Sequence, residues 1–168
     1  MTVAAYHQGY VLDASVAAKW FVRQGEADRE LALSIRDRHL SGLCRLILPE
    51  FALLEIGNAI RYSPRARESD GAAALDLLRD LNIEIRALSW DHLRKANAIS
   101  WAYNIAMYDA AYVALAEGVG YPLLTADEGL LKKMKGHSIV LRLGDLDVRH
   151  MNGLVVAHDK EQHRPPSG

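Results

Sequence analysis

Five short apolar runs separated by longer stretches of helical periodicity constrain this chain more than any other feature. The runs are Tyr10–Asp13, Leu43–Leu48, Ile83–Leu88, Pro122–Thr125 and Ser138–Leu143. Each is compact, aliphatic or β-branched, and too short for a buried helix. Helical patterns fill the gaps: Ser15–Val22 and Glu26–His39, Glu50–Tyr62 and Ser69–Leu81, Trp90–Tyr103 and Met107–Gly118, then Glu128–Met134. A strand that must pass through a helix before the next strand cannot pair by a hairpin. The pattern therefore predicts an α/β protein of three layers, a mostly parallel five-stranded sheet covered by helices on both faces. Pro49 suits a first helical turn, Gly118 and Gly120 a helix end, and Ser63-Pro64 a loop.

With 168 residues, half of them apolar, the chain can bury a real core as one domain, expected over residues 1–150. Residues 151–168 read as a polar, mobile tail, whose segment from His158 ends in Pro-Pro-Ser-Gly. Its His158 and His163 are expected to be solvated rather than metal-bound. A single cysteine, Cys44, excludes an internal disulfide and suits a reducing compartment. Twenty Lys and Arg against 21 Asp and Glu give a net charge of −1, so any nucleic-acid contact must come from a local patch. The richest apolar stretch, Leu46–Ile60, is broken by Pro49, Glu50, Glu55 and Asn58, and no basic flank precedes an apolar core at the start. Neither a membrane span nor a signal peptide is expected, which points to the cytoplasm.

Four carboxylates sit in places where acids are unusual. Asp13 and Asp127 each follow an apolar strand and precede a helix. Parallel strands deliver such residues to the carboxyl edge of the sheet, where open α/β folds bind ligands. Helix capping is the competing explanation for both. Glu55 and Asn58 are the polar residues of a helix that is otherwise apolar nearly all the way round, which implies burial on most sides. Pairing with Arg61 or Arg86 is the alternative for Glu55. Asp109 occupies the core-facing stripe of Ile105, Tyr112, Val113 and Ala116, although its place near the helix start also allows a simple dipole role. One shared site explains all four more simply than four coincidences.

Carboxylate oxygens without convergent His or Cys suit a hard divalent cation such as Mg²⁺ or Mn²⁺. The chemistry this favours is phosphoryl transfer by a metal-activated water. Concentrated negative charge should raise at least one carboxyl pKa, and metal should stabilise the native state.

The same residues resemble a known family, the PIN-domain ribonucleases, and within it the VapC-type toxins of prokaryotic toxin–antitoxin pairs. The likeness is carried by Val11-Leu12-Asp13-Ala14-Ser15-Val16-Ala17-Ala18-Lys19-Trp20-Phe21 and by Pro49-Glu50 leading to Leu54-Glu55-Ile56-Gly57-Asn58-Ala59-Ile60. It continues in Met107-Tyr108-Asp109-Ala110-Ala111-Tyr112-Val113-Ala114-Leu115-Ala116-Glu117 and in Pro122-Leu123-Leu124-Thr125-Ala126-Asp127. The blocks follow the family's order from Tyr10 to about Leu143. The resemblance implies a sheet of order 3-2-1-4-5 and an acidic quartet of Asp13, Glu55, Asp109 and Asp127 around Mg²⁺ or Mn²⁺. It implies Asp13 and Asp109 as direct ligands, Glu55 and Asp127 acting directly or through water, Ser15 and Thr125 as supporting hydroxyls, and Asn58 lining the site. The implied activity is endonucleolytic hydrolysis of RNA, leaving a 5′-phosphate. The implied partners are a VapB-type antitoxin that covers the site and a second copy of the chain. The first strand starts about ten residues later than is common in such toxins.

Arg61, Tyr62, Arg65 and Arg67 form a basic, aromatic-containing segment that could hold RNA phosphates, against the plainer reading of a solvated loop. Trp20, Phe21, Trp101 and Tyr103 could line a partner groove, with core packing expected for at least two of them. Cys44 has no His pattern near it, and neither a His-Glu-x-x-His arrangement nor a phosphate-binding glycine loop occurs. Two rival functions stand: a non-catalytic PIN-like module that binds protein or RNA, and a phosphatase or phospho-acceptor using Asp13. The second lacks a further acid two residues beyond Asp13.

Overall fold

The computed structural model describes residues 9–21 and 27–146. The predicted tail, His158, His163 and the N-terminal extension lie outside them. Five strands form one sheet of order β3-β2-β1-β4-β5: β1 Gly9–Leu12, β2 Arg45–Pro49, β3 Glu84–Arg86, β4 Leu123–Thr125 and β5 Val140–Arg142. Every pairing is parallel. Val11 lies opposite Ile47 on one side and Leu123 on the other, so β1 is central, with β2 and β4 as its neighbours. Apart from the exposed Arg45 at the start of β2, the three are almost wholly buried, as a sheet covered on both faces requires.

Among the described residues seven helices make the crossovers: α1 Ala14–Ala17, α2 Arg29–Leu40, α3 Ala52–Arg61, α4 Glu68–Asp80, α5 Trp90–Tyr103, α6 Met107–Val119 and α7 Glu128–Lys133. Predicted and observed boundaries agree within a few residues. The largest departure is the first helix, which stops at Ala17 and tightens into a 3₁₀ turn over Ala18–Trp20. Trp20 drives that turn: its buried indole Nε1 donates to Ala32 O at 2.8 Å, tying the turn to α2. Helix α6 buries every residue from Ala110 to Ala116 and ends where Gly120 adopts φ +74°, a conformation glycine tolerates without strain.

Helix α3 corrects the expectation of burial on most sides. It buries Ala52, Ile56 and Ile60, whereas Leu54 is 73 % exposed and Ala59 also faces solvent. A single buried stripe is enough to dock a ten-residue helix, so apolar residues beyond it are not thereby core. Among the four aromatic residues offered for a groove, Trp20 is core and Phe21 packs against it, while Trp101 is 83 % exposed.

Candidate active site

Asp13 and Asp127 stand at the carboxyl ends of neighbouring parallel strands, β1 and β4. The Asp13 backbone N–H continues the ladder to Leu124 O at 3.0 Å. Its side chain, only 8 % exposed, caps α1 by accepting from Ser15 N at 3.1 Å and accepts the Thr125 hydroxyl on Oδ2 at 2.5 Å. Thr125 is wholly buried, and its Oγ1 in turn accepts the Asp127 N–H at 3.0 Å. Ser15 Oγ accepts the Ala126 N–H at 3.1 Å and lies 3.5 Å from Thr125 Oγ1. The two strand ends are thus sewn together by two hydroxyls. Asp127 Oδ1 accepts from Gly129 N and Leu130 N at 2.7 and 3.0 Å, capping α7. Capping and site formation are not rivals here, because the strand-to-helix turn that needs a cap is also the sheet edge.

The other two acids come from helices. Glu55 sits in the first turn of α3, and its Oε2 accepts the Tyr112 hydroxyl of α6 at 2.5 Å. That hydroxyl also accepts the Ala14 N–H at 3.2 Å, so one phenol joins α6, α3 and the start of α1. Neither arginine offered as a partner holds Glu55: Arg86 is paired with Glu84, and Arg61 lies over the Tyr62 ring. Asp109 lies in the first turn of α6, one helical turn from Tyr112. Tyr112 is the contact to Glu55 that its sequence pattern leaves unread. A tyrosine inside an apolar stripe must find a partner for its hydroxyl once buried, and that is the signal it carries.

Electrostatics tie the acids into one cluster. Burial pushes the Asp13 carboxyl up, against the opposing effect of the Thr125 and Ser15 hydrogen bonds, and the Asp127 charge adds to the rise. Glu55 is raised first by burial and then by the charges of Asp13 and Asp109, with the Tyr112 hydroxyl opposing. Asp109 is raised by burial and by Asp13 and Asp127, while Lys133 and the Ala106 N–H favour its ionised form. Mutual repulsion of this kind is what a bound cation relieves. Among the described residues, no three His, Cys, Asp or Glu side chains already stand close enough to hold an ion. The donors are nevertheless all oxygens, and they fit a hard divalent cation on their chemistry.

Asn58 is exposed one turn beyond Glu55, and Arg61, Arg65 and Arg67 are exposed farther along. Cys44 is buried, its thiol pushed up to about 11 chiefly by burial, as an inert core residue requires.

The PIN domain family profile matches residues 10–136. Ribonuclease VapC3 of Pyrobaculum aerophilum is 30 % identical over 127 residues, covering 73 % of this chain and 92 % of that protein. Ribonuclease VapC1 of Mycobacterium tuberculosis is 37 % identical over 87 residues, 49 % of this chain and 62 % of that protein. A toxin–antitoxin complex from Klebsiella pneumoniae contains a similar fold, with TM-score 0.60 and 15 % identity, covering 80 % of this chain and 97 % of that one. A second likeness is VapBC2 from Rickettsia felis bound to a promoter DNA fragment, with TM-score 0.58, 13 % identity, and 80 % and 96 % covered. The profile match spans the strand-end acids, both acid-bearing helices and all of the sheet but its edge strand β5, and this chain belongs to the PIN domain family as a VapC-type member.

Proposed function

We propose that the protein is a Mg²⁺- or Mn²⁺-dependent endoribonuclease acting as the toxin of a toxin–antitoxin pair. The observation that carries this reading is the convergence of the four acids: on top of burial, the charges of Asp13 and Asp109 raise Glu55, those of Asp13 and Asp127 raise Asp109, and that of Asp127 raises Asp13. Its relatives are named ribonucleases, and this supports a nuclease.

Asp13 and Asp109 are the ligands assigned to the cation, with Glu55 and Asp127 acting directly or through water. A bound divalent cation supplies charge neutralisation at the phosphate and an acidified water. The rest falls to the chain. Thr125 and Ser15 hold the Asp13 carboxylate in one orientation. Tyr112 fixes Glu55 and favours its ionised form. Glu55 or Asp127, whichever does not bind the ion directly, would accept a proton from the attacking water as the bond to the leaving 3′ oxygen breaks; that oxygen takes up a proton from solvent, and the products are a 3′-hydroxyl and a 5′-phosphate. Arg61, Arg65 and Arg67 hold the RNA backbone, giving a net-neutral protein the local positive charge that RNA demands. Asn58 lines the path between them and the acids.

A VapB-type antitoxin is the proposed inhibitory partner, a homodimer the proposed assembly, and the cytoplasm the proposed location. No helix among the described residues is long and apolar enough to cross a membrane. The spread of the carboxylates, short of a ready ion cage, favours one second reading, a PIN-like module that binds RNA or protein without cutting. Incubating a cellular RNA pool with purified protein in Mg²⁺, Mn²⁺ or chelator, beside Asp109→Asn, separates the two. Discrete metal-dependent cuts that the variant lacks support the enzyme; equal cutting by both proteins contradicts the site. A further relative is named an exonuclease, so mapping internal cuts also tests the mode of attack.

A further inference from the structure

An aromatic ladder climbs from the acidic cluster to the surface. Its innermost rung is Tyr112, buried and donating to Glu55. Phe51, half-buried, packs edge-on against Tyr112 with ring centroids 5.0 Å apart. Tyr108 comes last, tilted at 58° to Phe51 with centroids 5.8 Å apart, and is 64 % exposed. Tyr108 lies one turn before Tyr112 on α6, and Phe51 one turn before Glu55 at the start of α3. The exposed ring is therefore beside the acids, immediately before Asp109 in the chain.

We propose that Tyr108 is a stacking platform for an unpaired nucleobase next to the phosphate held by the acids. The inference rests on the RNA-cleavage reading and assigns a substrate subsite within it. The requirement is geometric: base and phosphate of one nucleotide are separated by a sugar, and a single ring, Phe51, separates the Tyr108 ring from the Tyr112 phenol that donates to Glu55. Phe51 braces one side of the Tyr108 ring and leaves the rest in solvent, so a platform exists before the ligand arrives and little side-chain freedom is lost on binding. A π-face accepts any base, which makes the subsite tolerant of sequence. It also demands a base that is free of a helix, so the substrate class is single-stranded RNA or a loop rather than a duplex. Arg61 supports the same path. It stands six residues beyond Glu55 on α3, about 9 Å along the axis, within reach of a neighbouring phosphate of the same strand.

The test uses the full chain and a fluorescently tagged single-stranded oligoadenylate, with Ca²⁺ replacing Mg²⁺, and follows anisotropy. Tyr108→Ala should bind about tenfold to a hundredfold more weakly, while Tyr108→Phe and Tyr108→Trp bind as wild type does. Moving one abasic nucleotide along the oligomer should reveal a position that weakens wild type and leaves Tyr108→Ala indifferent. Equal affinity of wild type and Tyr108→Ala overturns the platform and leaves the nuclease reading intact. The same holds if Tyr108→Ala changes only the oligomeric state in light scattering, which would make this face an interface between copies. A wild type that neither binds the oligomer nor cuts the RNA pool overturns both readings.

Discussion

The strand-borne and helix-borne halves of the acidic cluster are held in different ways. At the ends of β1 and β4 the carboxylates are over-determined: Asp13 takes an N–H and a hydroxyl, and Asp127 takes two N–H groups. On α3 and α6 the support is thinner. Glu55 depends on one phenol from another helix, and Asp109 on a backbone N–H at the start of its own. Backbone geometry fixes the first pair as soon as the sheet forms, whereas the second pair is fixed only when two helices pack. On the proposed reading, the strand half is therefore the rigid anchor of the site, and the helix half the part that a cation or substrate would draw in.

The largest effect expected from this contrast is on cleavage. Asp13→Asn keeps an oxygen for the Ser15 N–H and so keeps its cap, yet metal-dependent cutting should fall at least about a hundredfold, as removal of a charged ligand implies. Circular dichroism should show the fold retained; full activity in a folded Asp13→Asn protein would remove Asp13 from the chemistry.

Thr125→Val should follow. The change deletes a buried hydroxyl that donates to Asp13 and accepts from Asp127. Denaturant unfolding should show a loss of about 1–3 kcal/mol, because partners are left unmet in the interior. Tyr112→Phe should cost less, about 1 kcal/mol, and should weaken Mn²⁺ binding by freeing Glu55. Pairing it with Glu55→Ala sharpens the point: the double variant should lose less than the sum, since each single change already breaks the Tyr112–Glu55 hydrogen bond. Additive losses would show that Tyr112 does nothing through Glu55. Asp127→Ser separates the two jobs of that residue, since serine still caps. Stability should change by less than about 0.5 kcal/mol while cleavage drops; unchanged cleavage would leave Asp127 a cap alone.

Protonation gives the shallowest signal. Asp13, Glu55 and Asp109 are all raised, so in chelator the native state binds more protons than the unfolded chain above about pH 4. Stability from these groups is complete below that point and is lost as pH rises through their native values. Thermal unfolding in chelator should show this decline toward neutrality, and Asp13→Asn should flatten it. Saturating Mg²⁺ should reverse it by favouring the ionised forms.

Much of the fold was legible because a parallel sheet writes itself plainly: β1, β2 and β4 are mostly apolar runs, broken in β2 only by Arg45, and helix-length spacers exclude hairpins. The strand-end acids were legible for the same reason, since Asp13 and Asp127 follow directly from where their strands stop. Two things were hidden. Leu54 looks like core in sequence but faces solvent, because periodicity does not say how wide a stripe the neighbours cover. The Glu55–Tyr112 bond joins residues 57 positions apart and depends on how α3 crosses α6, which no local pattern encodes.

The central claim is that these four acids form one cation site. Isothermal titration of Mn²⁺ into the wild type and into Asp13→Asn, Glu55→Gln, Asp109→Asn and Asp127→Asn tests it most directly. The account predicts saturable binding that every substitution weakens, with Asp13→Asn and Asp109→Asn affected most. Binding that survives unchanged in both of those variants would contradict it.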